Sequence, residues 1–170
     1  MRTEPTRSRP LMATRLPGYG VPTGDEGMLA WSHVTDLFAG ARLYWVGTTR
    51  PDGRPHAAPV WGAWVDETLY LETGRRTLKA RNLLANPAVA VHLERGDDVV
   101  LVEGTMERAG ELEPALFARV ADAFERKYPY RPGDAGALWV VRPRTVLAWN
   151  DLRRMTRWRF DVPEGRRGSG

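Results

Sequence analysis

Four cations crowd one short segment. In "TGRRTLKARNLLANPAV", residues 73–89, Arg75, Arg76, Lys79 and Arg81 surround Thr77, which has the residue type and position of a helix N-cap. The spacing predicts a short helix that stops before Asn86-Pro87, because a residue ahead of proline is pushed out of helical geometry. Helix starts already carry partial positive charge from unpaired N–H groups, so cations there are unfavourable on their own. They become favourable where an anion such as a phosphate rests on the helix start. A solvated cationic face is the competing reading, and charge alone does not separate the two.

The remaining reactive side chains exclude more than they suggest. There is no cysteine, which removes disulfides, thiolate nucleophiles and Cys-based zinc sites. The serines are Ser8, Ser32 and Ser169; none lies in a G-x-S-x-G turn, so a serine hydrolase is excluded. His33, His56 and His92 lack metal-ligand spacing, and His92 reads as a sheet histidine. No Walker loop or dinucleotide fingerprint is present. Asp97 and Asp98 pair carboxylates in "GDDV", but on a turn where Gly and Asp are ordinary formers. Two classes of function survive: chemistry borrowed from a bound cofactor, or a binding module without a reaction of its own.

The elements that must position these residues can be traced along the chain. The 170 residues, 42% hydrophobic with seven Trp, suit one globular domain with a sizeable core. The net charge of +4 sits at the ends: residues 1–15 carry +3, 164–170 carry +1, and 16–163 sum to zero. A specific nucleic-acid binder needs its basic face on the domain itself, so specific nucleic-acid recognition is not expected. No apolar run reaches the roughly 20 residues of a membrane span. The basic start lacks an apolar signal region, so no membrane association and a cytoplasmic location are expected.

Residues 1–27, rich in Pro, Gly, Arg and Thr, form an extended N-terminal arm in this reading, and 164–170 a flexible basic tail. The arm has few apolar residues, which predicts that residues 1–15 can be removed without loss of the fold. "SHVTDLFAGAR" predicts a helix capped by Ser32. "RLYWVGTT", "HAAPVWGAWV", "ETLYLETG", "AVAVHLE" and "DVVLVEGTMERA" read as strands; Pro55 and Pro59 make the second an edge or bulged strand. "PALFARVADAFERKY" has the apolar spacing of an amphipathic helix, and "LWVVRP", "TVLAWN" and "MTRWRF" close the chain as strands. The fold class is mainly β with a few helices, an antiparallel barrel with helices packed outside.

The run from Tyr44 to Glu94, "YWVGTTRPDGRPHAAPVWGAWVDETLYLETGRRTLKARNLLANPAVAVHLE", resembles the split-barrel flavin-binding family that includes pyridoxamine 5'-phosphate oxidase and the deazaflavin-dependent reductases. The resemblance extends over about Ala41 to Phe160, with "VVLVEGTME" and "TRWRF" in keeping. It implies a split β-barrel over 28–163 that forms a homodimer, with cofactors in clefts between the subunits. The family's S/T-x-K-x-x-N-L segment matches Thr77, Lys79, Asn82 and Leu83. By that match Thr77 and Lys79 hold the cofactor phosphate, Asn82 belongs to the same cofactor-binding segment, and Arg76 and Arg81 lie close enough to share the phosphate. The strand "HAAPVW" matches the one beneath the ring, so His56, Pro59, Val60 and Trp61 should line that site.

The cofactor implied is FMN or the deazaflavin coenzyme F420, both of which carry anionic tails. Oxidation of pyridoxamine 5'-phosphate is not expected, since "RMTRWRF" has the arginines of the family's C-terminal substrate pattern but no histidine. The expected activity is hydride transfer between the cofactor and a reducible small molecule; the alternative is a non-catalytic flavin or haem-binding protein of the same fold. No residue is identified as acid or base, with Tyr44, His56 and Trp61 the nearest candidates, and no metal site is expected. The dimer expectation also has a physical root, because seven Trp exceed what one small core covers.

Overall fold

In the computed structural model, which describes residues 5–10 and 20–161, six antiparallel strands close on themselves. They are β2 (Tyr44–Thr49), β3 (Pro55–Val65), β4 (Thr68–Glu72), β5 (Ala88–His92), β6 (Val99–Arg108) and β7 (Leu138–Trp149). Their order around the barrel is β2-β3-β4-β7-β6-β5, and β5 returns to β2. Two further strands extend the sheet from β7: β8 (Thr156–Arg159), then β1 (Thr6–Ser8) at the edge. Among the described residues the helices are α1 (Trp31–Gly40), α2 (Leu78–Ala85) and α3 (Pro114–Lys127), with two short 3-10 turns. The fold is the split barrel that the resemblance implied.

Apolar residues enclose two cores. Val46, Leu69, Leu71, Val91, Val102, Val146 and Trp158 belong to one cluster with Phe38 of α1. On the other face of β3, β4 and β7, Ala63, Tyr70, Leu138 and Val140 pack against Val120, Phe124 and Tyr128. Strand β4 is therefore covered on both sides, which explains why Leu69, Tyr70 and Leu71 are all buried in place of an apolar–polar alternation. The interior stripe of α3 is Val120, Ala121, Ala123 and Phe124, at helical spacing.

Three expectations change. "LWVVRP" and "TVLAWN" are one twelve-residue strand, β7, not two. Pro143 is tolerated because the register with β6 shifts between Glu103 and Gly104, and a bulge needs no ladder donor there. Gly104 permits that close approach, since a side chain on it would collide with the Arg142 carbonyl. Ser32 is not the cap of α1: the helix begins at Trp31, behind Ala30, with no side-chain cap bond. Packing overrides the local signal, because Trp31 sits edge-on to Trp158 (5.4 Å) and Phe160 (5.5 Å).

The third change concerns the lead-in. Thr6, Arg7 and Ser8 pair with Arg159, Trp158 and Arg157, so part of the arm is sheet. Arg9 is 8% exposed, and its guanidinium donates to the carbonyls of Gly24 (2.6 Å), Arg153 (2.7 Å) and Glu26. What holds the segment is thus a buried cation on main-chain oxygens, an anchor that a count of apolar residues misses. The tail expected at 164–170 lies outside the described residues. No helix among the described residues is long and apolar enough to cross a membrane.

Candidate functional site

Strand β3 divides its allegiance. Among the described strands, residues 55–60 pair only with β2 and residues 61–65 pair with β4, so the first half is left open along one flank by them. Pro55 and Pro59 lie in that open half, the edge position their missing N–H requires. At the changeover Gly62 lets the strands close, since a side chain there would run into Leu71 and Tyr44.

The opposite wall comes from the start of α2. Thr77 caps that helix: its hydroxyl oxygen accepts from the Ala80 N–H at 3.2 Å and lies 3.1 Å from the Thr73 hydroxyl. The helix ends at Ala85, just before Asn86 and Pro87. The cap satisfies the third N–H of the helix and leaves those of Leu78 and Lys79 without an acceptor inside the helix.

Between these walls lies a groove of ≈ 450 Å³, lined by Pro59, Val60 and Trp61 from β3 and by Thr77 and Lys79 from α2. Leu43, Glu72, Thr73 and Gly74 complete it. Its size falls within the roughly 300–1,000 Å³ usual for small-molecule sites. Five of the residues that the sequence proposed are thereby brought together: Pro59, Val60, Trp61, Thr77 and Lys79. The donor set is a hydroxyl, an ammonium and helix-start N–H groups beside an apolar strand. It suits a ligand with a flat apolar body and an anionic end.

The other candidates sit apart from the lining. Arg76 and Arg81 are solvent-exposed. Asn82 is fully buried, and its amide donates to the Thr48 hydroxyl oxygen at 2.9 Å. Thr48 in turn lies 3.5 Å from His56 Nδ1, so Asn82 and His56 fasten α2 to β2 and β3 from behind. The Asn82 Oδ1 has no hydrogen-bond partner among the described residues. Tyr44 is fully buried, donates to the Phe38 carbonyl and accepts from Lys127 Nζ at 3.2 Å. Burial first, and the neighbouring Tyr128 second, push its hydroxyl well above the ordinary tyrosine range. As a core residue it supplies no proton to the groove.

Trp61 remains 38% exposed, one face stacked on Tyr128 at 4.8 Å and 14°. The Tyr128 hydroxyl donates to the Arg42 carbonyl (2.7 Å) and accepts from the Gly62 N–H (3.0 Å), which holds the tryptophan's strand in place. A second cavity of ≈ 590 Å³ shares Leu43 and Trp61 with the groove and runs toward the end of α1 past Leu37, Leu93 and Tyr128.

Sequence reasoning missed Glu72. It ends β4 directly across from Trp61 in the strand register and enters the groove beside Lys79. Burial raises its carboxyl pKa, and the Lys79 charge partly opposes the rise. The signal was present in "LYLETG", where an acid follows an apolar run at a strand end. The other side chains settle as structure. Asp97 pairs with Arg95 at 2.8 Å and Asp98 with His33 at 2.8 Å. His92 stacks on Trp45 across the strands. No group of metal-ligating residues exists among the described residues.

Comparison with known proteins places this geometry. A conserved hypothetical protein of Mycobacterium tuberculosis is similar at 27% identity, with 75% of this chain and 88% of that chain covered and a TM-score of 0.61. The barrel also matches an FAD-binding protein of Mesorhizobium loti (20% identity, 76% and 95% covered, TM-score 0.56). A haem-binding protein of Mycobacterium smegmatis shares the fold as well (20% identity, 79% and 57% covered, TM-score 0.60). No curated protein matches the chain. The family model described as pyridoxamine 5'-phosphate oxidase matches residues 31–150, most of the chain, and by that match the chain belongs to the pyridoxamine 5'-phosphate oxidase family of split barrels.

Proposed function

We propose that the protein is an oxidoreductase that uses a flavin-type cofactor, FMN or the deazaflavin coenzyme F420, to transfer hydride to or from a reducible small molecule. One observation carries the reading: the groove joins an apolar strand segment to a capped helix start bearing Lys79. Lys79 and the N–H groups of Leu78 and Lys79 would hold the phosphate, with the Thr77 hydroxyl as a further donor. Pro59, Val60 and Trp61 would support the ring. When bound, the ring supplies reversible hydride acceptance, chemistry that no side chain here provides.

The chain's own residues then position and exclude. Tyr128 and Gly62 hold Trp61 as the partition between the groove and the adjoining cavity. That cavity is the space proposed for the reducible molecule, with Leu37, Leu43 and Leu93 keeping water from its inner end. Neither His56 nor Tyr44 lines either space, so proton delivery is not assigned to them. A homodimer in the cytoplasm is part of the proposal. The open flank of β3 and the exposed Trp61 and Leu84 are surfaces that a second copy would cover, with the cofactor held between the two.

Purification from the native host tests the cofactor directly. A flavin absorbs near roughly 370 and 450 nm and the oxidised deazaflavin in a single band near roughly 420 nm. Protein that takes up neither cofactor, on purification or on titration, refutes the reading. A protein that binds cofactor but shows no oxidase or reductase rate with any electron partner supports the rival class, a carrier. Sedimentation as a monomer at micromolar concentration with cofactor bound refutes the dimer.

A further inference from the structure

The groove carries two opposite charges. Among its described lining residues one is basic, Lys79, and one is acidic, Glu72. The backbone brings them there by separate routes. Thr77 fixes the start of α2, and with it Lys79 at the second helical position. Glu72 is the last residue of β4 and is held opposite Trp61 by strand pairing. Both side chains are half-buried. Burial raises the Glu72 carboxyl pKa and the Lys79 charge opposes the rise, so the two groups lie within electrostatic reach of each other.

The other cations of the segment stand outside this balance. Arg76 and Arg81 are exposed and absent from the lining, where water and salt screen them. Arg75 is exposed too, and it donates to the Gly136 carbonyl at 3.2 Å. With the ammonium and the carboxylate both ionised, their charges offset each other, and the helix start leaves a ligand about half a positive charge. That is a poor match for a phosphomonoester, which carries nearly two negative charges above its second pKa of about 6. A phosphodiester carries a single one.

We propose that Glu72 makes the groove select a cofactor joined through a phosphodiester, as in the deazaflavin coenzyme F420, over the phosphomonoester of FMN. The inference rests on the flavin-type reading and adds which anionic group the site takes. Coulomb energy scales with the charge of the ligand, so the carboxylate opposes a dianion about twice as strongly as a monoanion. Lys79 holds the phosphate, and Glu72 limits how much charge that phosphate can bring.

The test titrates the full-length apo-protein by fluorescence at pH 8 with probes that share one ring: riboflavin, FMN and the methyl diester of FMN. The three corresponding deazaflavin compounds are titrated beside them. The parent should bind the diester at least as tightly as the monoester, and riboflavin more weakly than the diester. Glu72→Gln, which is nearly isosteric, should tighten the monoester several-fold and the diester by the square root of that factor, because binding energy follows ligand charge. Glu72→Asp keeps the charge and should keep the parent's preference. Arg126→Ala, on α3, should change neither affinity. A parent that prefers the monoester, or a monoester-to-diester ratio unchanged in Glu72→Gln, would overturn the proposal and leave the flavin-type reading standing. Failure of every probe on both rings to bind would refute that reading and this inference with it.

Discussion

Replacing Lys79 with alanine isolates the one cation among the described residues that line the groove. The ammonium lies at the second position of α2, beside Thr77, whose hydroxyl already serves the helix as its cap. A charge-assisted hydrogen bond contributes about 1.5–3 kcal/mol. Lys79 is only partly buried, so water screens it and the lower end applies. At about 1.4 kcal/mol per factor of ten, Lys79→Ala should weaken FMN or deazaflavin binding roughly ten-fold. Thr77→Ala should cost less in binding but about 1 kcal/mol in stability, because an eight-residue helix loses its only side-chain cap. Lys127, an obvious cation for a control, is unsuitable: its ammonium donates to the Ala41 carbonyl at 2.9 Å and to Tyr44. Arg126, exposed on α3, serves instead, and Arg126→Ala should leave affinity unchanged. The assay is fluorescence titration of apo-protein with each cofactor, beside thermal melts of the same samples. Equal affinities for the parent and Lys79→Ala, with both cofactors, would show that the basic helix start is only a solvated face.

Three further perturbations follow from the same geometry. Glu72→Gln should strengthen cofactor binding several-fold at pH 8. The gap to the parent should close as pH falls through the raised Glu72 pKa, because a neutral carboxyl no longer repels the phosphate; a pH-independent gap in paired titrations contradicts this. Lys127 is depressed to about 8 by burial and, less, by Arg126, so between pH 8 and about 10 the unfolded chain holds the extra proton and folding stability should rise with pH. Denaturant melts of Lys127→Met should lack that rise; an identical slope in both proteins refutes the assignment. Arg9→Ala should destabilise the fold by about 2–3 kcal/mol, the scale of hydrogen bonds to a charged group, since it strips a buried donor from the carbonyls of Gly24, Glu26, Arg153 and Met155, and an unchanged melt would return the arm to a dispensable lead-in.

What the chain wrote locally was legible without coordinates. The start and stop of α2 follow from Thr77 and Pro87, because capping and the steric effect of proline act within a few residues. The stripe of α3 follows from its period, and the prolines of β3 announced an open edge. The cation at a helix start was legible too, though not its meaning. Contacts between distant segments decided the rest. Barrel closure sets β3 against the start of α2 and so makes a groove from Pro59, Trp61, Thr77 and Lys79. The same closure buries Tyr44, turns Asn82 and His56 to the rear, and brings Glu72 in beside Lys79. Arg76 and Arg81 look equivalent to Lys79 in the sequence, but only Lys79 lines the groove, and helix rotation against β2 makes that choice. The pairing of Thr6–Ser8 with β8 has no local signature, since its anchor is one guanidinium held by carbonyls up to 146 residues away. Propensity acts through neighbours in the chain, whereas burial and register depend on which strands meet, and that is settled only when the whole sheet closes.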